Sequence, residues 1–325
     1  WALISQSLDF KYGLFGFKGD GRFTAVYSNY EFNQPLTKKD FGREIVAFEN
    51  EANKKDSLFW NKIRPVPLTA EERTDYIKKD SIQLVKESKP YLDSIDAVKN
   101  KFKLGDILGY TYQDSQKDIR LGFDIPITDV KFNTIQGYTA KANVFFTKDY
   151  DDFNRYFSAN ANLEYGFSDD RLRATGALTY KFNDTSRRFL TLSGGVQVQQ
   201  FNSANPINAL ENIIATLFFE ENYMKLYERR FVQLNYSEEL FNGFRLYSGI
   251  SYENRNALFN TTDQTFYPKR NKEYTSNNPL DPTSASAPFE NHNIVKVNVS
   301  ARINFDQDYL RYPDRKVNLF SEKYP

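Results

Sequence analysis

The sequence predicts an all-β membrane fold: an antiparallel transmembrane β-barrel, partial in this chain, with one helical insertion. Three observations predict it. The first is the aromatic load, 29 Phe and 22 Tyr against a single Met, in a chain whose mean hydropathy is -0.65. A wall with one apolar face, one polar face and aromatic girdles needs that mixture, whereas a soluble core rarely does. The second is strand length. Alternating segments of ten or more residues exceed the ~5–6 usual in soluble sheets and match the ~9–11 of a tilted membrane-crossing strand. The third is that no window approaches the ~20 apolar residues of a spanning helix. The longest apolar stretches, such as IIATLFF at 213–219, are far too short. A closed barrel is the other structure that satisfies every backbone polar group inside a bilayer.

Composition narrows the chemistry. The chain has no Cys, which removes disulfide scaffolds and zinc–cysteine sites. Lys and Arg total 43 against 42 Asp and Glu, and the cations are dispersed, so no nucleic-acid partner is expected. The chain opens on Trp1 with no leader before it and closes on SEKYP, which reads as an internal piece of a longer precursor.

The strands are expected in 1–55 and again in 104–325. Early candidates are 8–17, 22–32, 104–113 and 118–125. In GYTAKANVFFTK, one face carries Tyr138, Ala140, Ala142, Val144 and Phe146, and the other carries Thr139, Lys141, Asn143, Phe145 and Thr147. YFSANANLEYGF sets Phe157, Ala159, Ala161, Leu163, Tyr165 and Phe167 against Ser158, Asn160, Asn162 and Glu164. After a turn at 168–170, Leu172, Ala174, Gly176, Leu178, Tyr180 and Phe182 oppose Arg171, Arg173, Thr175, Thr179 and Lys181. The period of two recurs at 188–200, 231–238, 244–252 and 295–305. None of the three apolar faces just named holds a charge, as contact with lipid requires. A soluble β-sandwich alternates too, so the discrimination rests on strand length and aromatic content together. Gly194–Gly195 inside a strand marks a bulge or a close backbone approach.

Tight turns are expected at NDTS 183–186 and FNG 241–243, and a long polar loop at 259–292. Short turns on one side and long loops on the other fit a barrel with its long loops extracellular. Residues 56–103 break the alternation. Thr69 with Glu72 forms a capping box opening a helix over 70–88. Pro90 stops or kinks it, and a second helix covers 91–100. This charged excursion belongs on the periplasmic side. A further helix, 206–222, is capped by Asn208 and carries Leu210, Ile213, Ile214, Leu217 and Phe218. It could plug the lumen, cover a rim or dock a partner, with the rim favoured.

Chemistry is sparse. The one histidine, His292, lies in a polar loop with no nucleophile patterned against it. Asp306–Gln307–Asp308 and the run 278–282 offer oxygens for calcium but lack a twelve-residue calcium-loop spacing; turn residues bonding their own backbone explain them. No cofactor or metal site is expected, and the chain is not expected to be an enzyme. A hydrolase at the barrel mouth would be the enzymatic alternative, and would need His292.

Four phrases carry a resemblance: DSLFWNKIRPVPLTAEERTDYIKKDSI at 56–82, LGDILGYTY at 104–112, FNTIQGY at 132–138 and YLRYPDRKVNLFSEKYP at 309–325. Trp60, Arg64, Pro65, Pro67, Tyr312, Pro313, Asp314 and Arg315 make them specific. Together they resemble the DUF5686 family of Bacteroidota outer-membrane proteins, large proteins with a carboxypeptidase-regulatory-like domain before a β-barrel; that leading domain is missing here. The resemblance implies an outer-membrane address, further barrel strands beyond Pro325 and no established reaction. It makes accessory barrels beside outer-membrane protein assembly a relevant comparison.

The function expected is therefore a scaffold or accessory subunit of an envelope complex. Its partners are the lipid bilayer and other outer-membrane or periplasmic proteins. Contact is expected through the 56–100 excursion, where Phe59, Trp60, Arg64, Pro65 and Pro67 are the candidate residues, and through the 259–292 loop. The alternative is a solute channel, with Lys141, Glu164, Arg171, Arg173 and Lys181 facing the lumen.

Overall fold

The computed structural model describes residues 3–14, 16–37, 40–49, 51–150, 154–270 and 272–319. Its main body is a ten-stranded antiparallel sheet. Before that sheet come β1 (Ser5–Leu14), β2 (Phe17–Val26) and β3 (Glu44–Ala47). β1 and β2 pair with each other in a sheet of their own. The expected strands at 8–17 and 22–32 thus begin three to five residues earlier, because Gly16 at φ +88° reverses the chain there.

Three helices follow: α1 (Ser57–Ile63), α2 (Ala70–Glu87) and α3 (Lys89–Lys99). α1 was not legible as a helix. Asp56 caps it, its carboxylate accepting from Phe59 N at 2.8 Å. The Thr69–Glu72 capping box is formed in both directions. Ser88 is extended, and Pro90 sits in the first turn of α3, where its missing N–H costs nothing.

The sheet comprises β4 (Gly109–Asp114), β5 (Ile119–Asp124), β6 (Lys131–Asn133), β7 (Gly137–Tyr150), β8 (Arg155–Gly166), β9 (Arg171–Lys181) and β10 (Phe189–Gln200). After α4 (Ala209–Phe219) it continues with β11 (Leu226–Phe241), β12 (Phe244–Ala257) and β13 (His292–Ile303). The spatial order from β13 down to β7, then β5 and β4, is a meander, with β6 pairing β7 beyond the end of β5. β14 (Tyr309–Arg311) and β15 (Lys316–Asn318) join β3 in a small sheet, β14 lying parallel to β3.

The expected strand at 104–113 is shortened, since 104–108 winds into a 3-10 turn closed by Asp106 accepting from Lys103 N at 2.7 Å. Asn242–Gly243 is a two-residue hairpin turn, with Gly243 at φ +79°. The connection 182–188 is longer than the expected tight turn, because Asn183 Oδ1 accepts from Ser186 N (2.7 Å) and Arg187 takes φ +50°.

Short connections (115–118, 182–188, 242–243) share one end of the sheet, the turn end. Long ones (125–136, 201–225, 258–291) share the other, the loop end, together with the short turn 167–170. The small buried core sits at the loop end: Ile135, Met224 and Leu226, packed by Val198, Ile207 and Leu258. The described residues of the 258–291 stretch form neither helix nor strand, yet they are tied down. Asn277 Nδ2 donates to the Leu226 and Leu258 carbonyls at 2.6 and 2.7 Å, and Thr261 N donates to Thr134 O at 2.8 Å.

The sheet has two edges. At β4, the Asn100 side chain imitates a neighbouring strand: Oδ1 accepts from Gln113 N (2.8 Å) and Nδ2 donates to Gln113 O (2.7 Å). One amide thereby blunts an edge open to pairing. β13 pairs only with β12 among the described residues.

Gly195 marks a departure between strands. The β9–β10 ladder ends at Thr175–Gly195, while β10 continues along β11 as far as Gln200. Gly195 has φ +133°, and an added Cβ would stand 2.2 Å from the Ala174 carbonyl oxygen. Gly195→Ala is expected to cost roughly 1–3 kcal/mol in backbone strain alone. The control, Gly176→Ala, meets its nearest atom at 3.2 Å and should cost less. Denaturant midpoints of the two variants check this.

Candidate functional site

The register assembles two adjacent rows of side chains across nine strands. One runs Tyr112, Leu121, Phe146, Ala159, Leu178, Leu192, Leu234, Ile250, Val297. The other runs Tyr110, Phe123, Val144, Ala161, Gly176, Gly194, Val232, Tyr252, Val295. Neither contains a charge or an amide. Toward the turn end the neighbouring row brings Phe157, Tyr180, Leu190 and Tyr236 side by side. This face is exposed: Ile250 is 51% accessible, Val232 57% and Val297 69%. At about 4.8 Å per strand it is roughly 40 Å wide. Monomeric soluble proteins rarely leave so large an apolar surface uncovered.

The opposite face is polar. Between the apolar positions, Arg120, Thr147, Ser158, Thr179, Thr191, Asn235, Gly249 and Asn298 line up across the same sheet. Thr179 and Thr191 hydrogen-bond at 3.1 Å.

Two glutamates of the sheet, each 1% exposed, are ringed by cations. Glu253 holds Arg229 at 2.6 Å and Arg255 and Lys296 at 3.0 Å. Glu228 holds Arg171 and Arg230 at 3.1 Å and Arg173 at 3.3 Å. Arg173, itself 3% exposed, also pairs with Asp169 at 2.6 Å. Buried charges persist only when paired in this way.

Lys141, Glu164 and Arg173 line one cavity of about 270 Å³. Lys141 lies 2.8 Å from Asp129 and 3.5 Å from Glu164, which also accepts from Gln136 Nε2 at 2.6 Å. The hydrogen bond from Lys141 holds the Asp129 carboxyl below the usual carboxylate range, against the opposing effect of burial. Arg171 joins this group through Glu228, while Lys181 sits apart at the turn end with Asp184 (2.7 Å). Sequence reasoning missed Asp129, Glu228 and Glu253. In Glu228–Arg229–Arg230 charge occupies both parities, so the alternation that would have extended β11 back to Leu226 is masked there.

On the helical side, Trp60, Arg64 and Pro67 line a groove of about 910 Å³ with Lys55, Arg73 and Tyr76. Phe59 stands outside it, edge-on to Trp60 with centroids 5.5 Å apart, and Pro65 is exposed. The Arg64 guanidinium lies 5.7 Å from the Tyr76 ring. Asp306 and Asp308, weighed above for calcium, both pair with Arg43. No helix among the described residues is long and apolar enough to cross a membrane, which leaves strands untouched.

The model of a family of unknown function, described as the DUF5686 C-terminal domain, matches residues 105–325. No curated protein and no solved structure matches the chain.

Proposed function

From a chain that belongs to the DUF5686 family by the domain over 105–325, we propose that the sheet is a wall of a transmembrane β-barrel in the bacterial outer membrane. It serves as a scaffold or accessory subunit for other envelope proteins. The observation that carries this is the pair of uninterrupted apolar rows, exposed across nine strands and backed by a polar face. Apolar area of that extent is stabilised by contact with hydrocarbon and not by contact with water. The Bacteroidota address rests on the resemblance of the motifs alone.

The role proposed is structural and not catalytic. His292 keeps Nδ1 2.8 Å from the Glu290 carbonyl oxygen and its ring against Phe289 at 5.2 Å. The groove around Trp60 and Arg64 is the proposed contact for an envelope partner. The hydroxyl-lined face favours a second reading, a solute channel. Planar-bilayer conductance separates the two, since a sealed protein removes the channel.

The test of the wall is solubility and folding of the full-length protein. It is expected to acquire its β-sheet circular dichroism and a compact, heat-sensitive electrophoretic form only with detergent or vesicles. A folded monomer in plain buffer would overturn the proposal. Deleting 58–68 should remove co-purifying envelope proteins while the compact form persists; unchanged partners would remove the scaffold contact assigned to the groove.

A further inference from the structure

α4 is built inside out. Beside Leu217, itself 1% exposed, its buried stripe is polar: Asn212 is 1% exposed, Thr216 0% and Glu220, just past its last residue, 6%. Its outward stripe, at the same spacing of four, is apolar: Leu210 is 63% exposed, Ile214 43% and Phe218 41%. A helix on a water-facing surface shows the reverse order.

The inward polar groups are held by specific bonds, with Asn212 Oδ1 alone among them buried without a hydrogen-bond partner. Asn212 Nδ2 donates to the Phe132 carbonyl at 2.8 Å, and Tyr274 Oη donates to the Thr216 carbonyl at 2.8 Å. Burial, aided by the Glu220 carboxylate, pushes the Tyr274 phenol up to about 12, so it remains a donor. The Glu220 carboxylate accepts from Lys269 N at 3.1 Å. The inversion is therefore locked by specific bonds from the 131–133 and 258–275 segments.

We propose that α4 is an interfacial helix whose outer ridge lies among lipid acyl chains at the loop end of the wall. This rests on the reading of the wall as membrane-embedded. Three observations favour lipid as the occupant. The inversion repeats that of the sheet, apolar outward and polar inward, so one apolar phase bathes both. Phe266 and Tyr267 fold back on Phe218, with centroids at 5.2 and 5.9 Å, and widen the ridge with rings suited to the headgroup boundary. The cations Lys269, Arg270 and Lys272 follow at once, with Lys269 and Lys272 both reaching the Phe219 carbonyl at the helix end. Ridge, rings and cations in that order complement acyl chain, boundary and anionic headgroup.

The chain has no cysteine, so Ile214→Cys and Phe218→Cys give defined labels in full-length protein reconstituted in vesicles. An environment-sensitive fluorophore at either position should lose most of its emission to doxyl-labelled lipid and little to aqueous iodide. Leu280→Cys, in a loop and 83% exposed, should do the opposite, and Val297→Cys reports on the wall. Quenching by iodide at 214 and 218 with lipid quenching at 297 would overturn the helix proposal alone. Protection from both quenchers at 214 and 218 would also overturn it, by showing a protein cover. Loss of lipid quenching at 297 would instead overturn the wall itself.

Discussion

Leu234→Arg is expected to destabilise the membrane-assembled protein by about 2–4 kcal/mol, the cost of a cation at mid-bilayer on a lipid-facing strand position. Leu234 lies within the unbroken row, between Leu192 on β10 and Ile250 on β12. Its neighbour Asn235 points to the polar face, between Thr191 and Gly249, so Asn235→Arg should cost much less. The comparison holds the strand and the introduced residue constant and moves the charge from one face to the other. Urea unfolding of both variants in vesicles measures it. Equal losses would mean that the two faces meet the same solvent, and the wall would have to be abandoned.

The second large effect is at Glu253. Glu253→Gln keeps the shape but leaves Arg229, Arg255 and Lys296 without their shared counter-charge. Removing one member of a buried pair typically costs about 3–5 kcal/mol. Arg255 and Lys296 keep some access to water, so the lower end of that range is expected. The exposed pair of Arg120 with Asp149, at 3.0 Å, is the contrast: Asp149→Asn should change stability by no more than about 1 kcal/mol. If Glu253→Gln unfolds at the wild-type denaturant concentration, the cluster contributes nothing to holding β11, β12 and β13 together. The double variant with Arg229→Gln should recover part of the loss, and a double-mutant cycle then gives the coupling between the two.

The elements legible beforehand are those with local causes. The alternation in 137–182 assigned each side chain to a face, and the register carries those assignments across the sheet. The Thr69–Glu72 box and the Asn242–Gly243 turn were readable from a few neighbouring residues. Gly194–Gly195 signalled close backbone approach, and Gly195 stands against the Ala174 carbonyl. α1 went unread because its cap is one aspartate followed by only seven helical residues. The candidate site was half legible. Lys141, Glu164 and Arg173, expected together on one face, line one cavity. Their partners Asp129, Asp169 and Glu228 come from connections and a strand that the pattern did not reach.

By itself the sequence determined which side of each strand is apolar, because period two is a property of a single extended segment. It also determined where helices interrupt the strands, because caps and prolines act over one turn. Tertiary structure alone decided which strands lie side by side, and so which arginines surround Glu228 and Glu253. It alone turned the polar stripe of α4 inward. Those outcomes depend on register between segments up to dozens of residues apart, and no local spacing specifies which distant hydrogen bonds complete a buried amide or carboxylate.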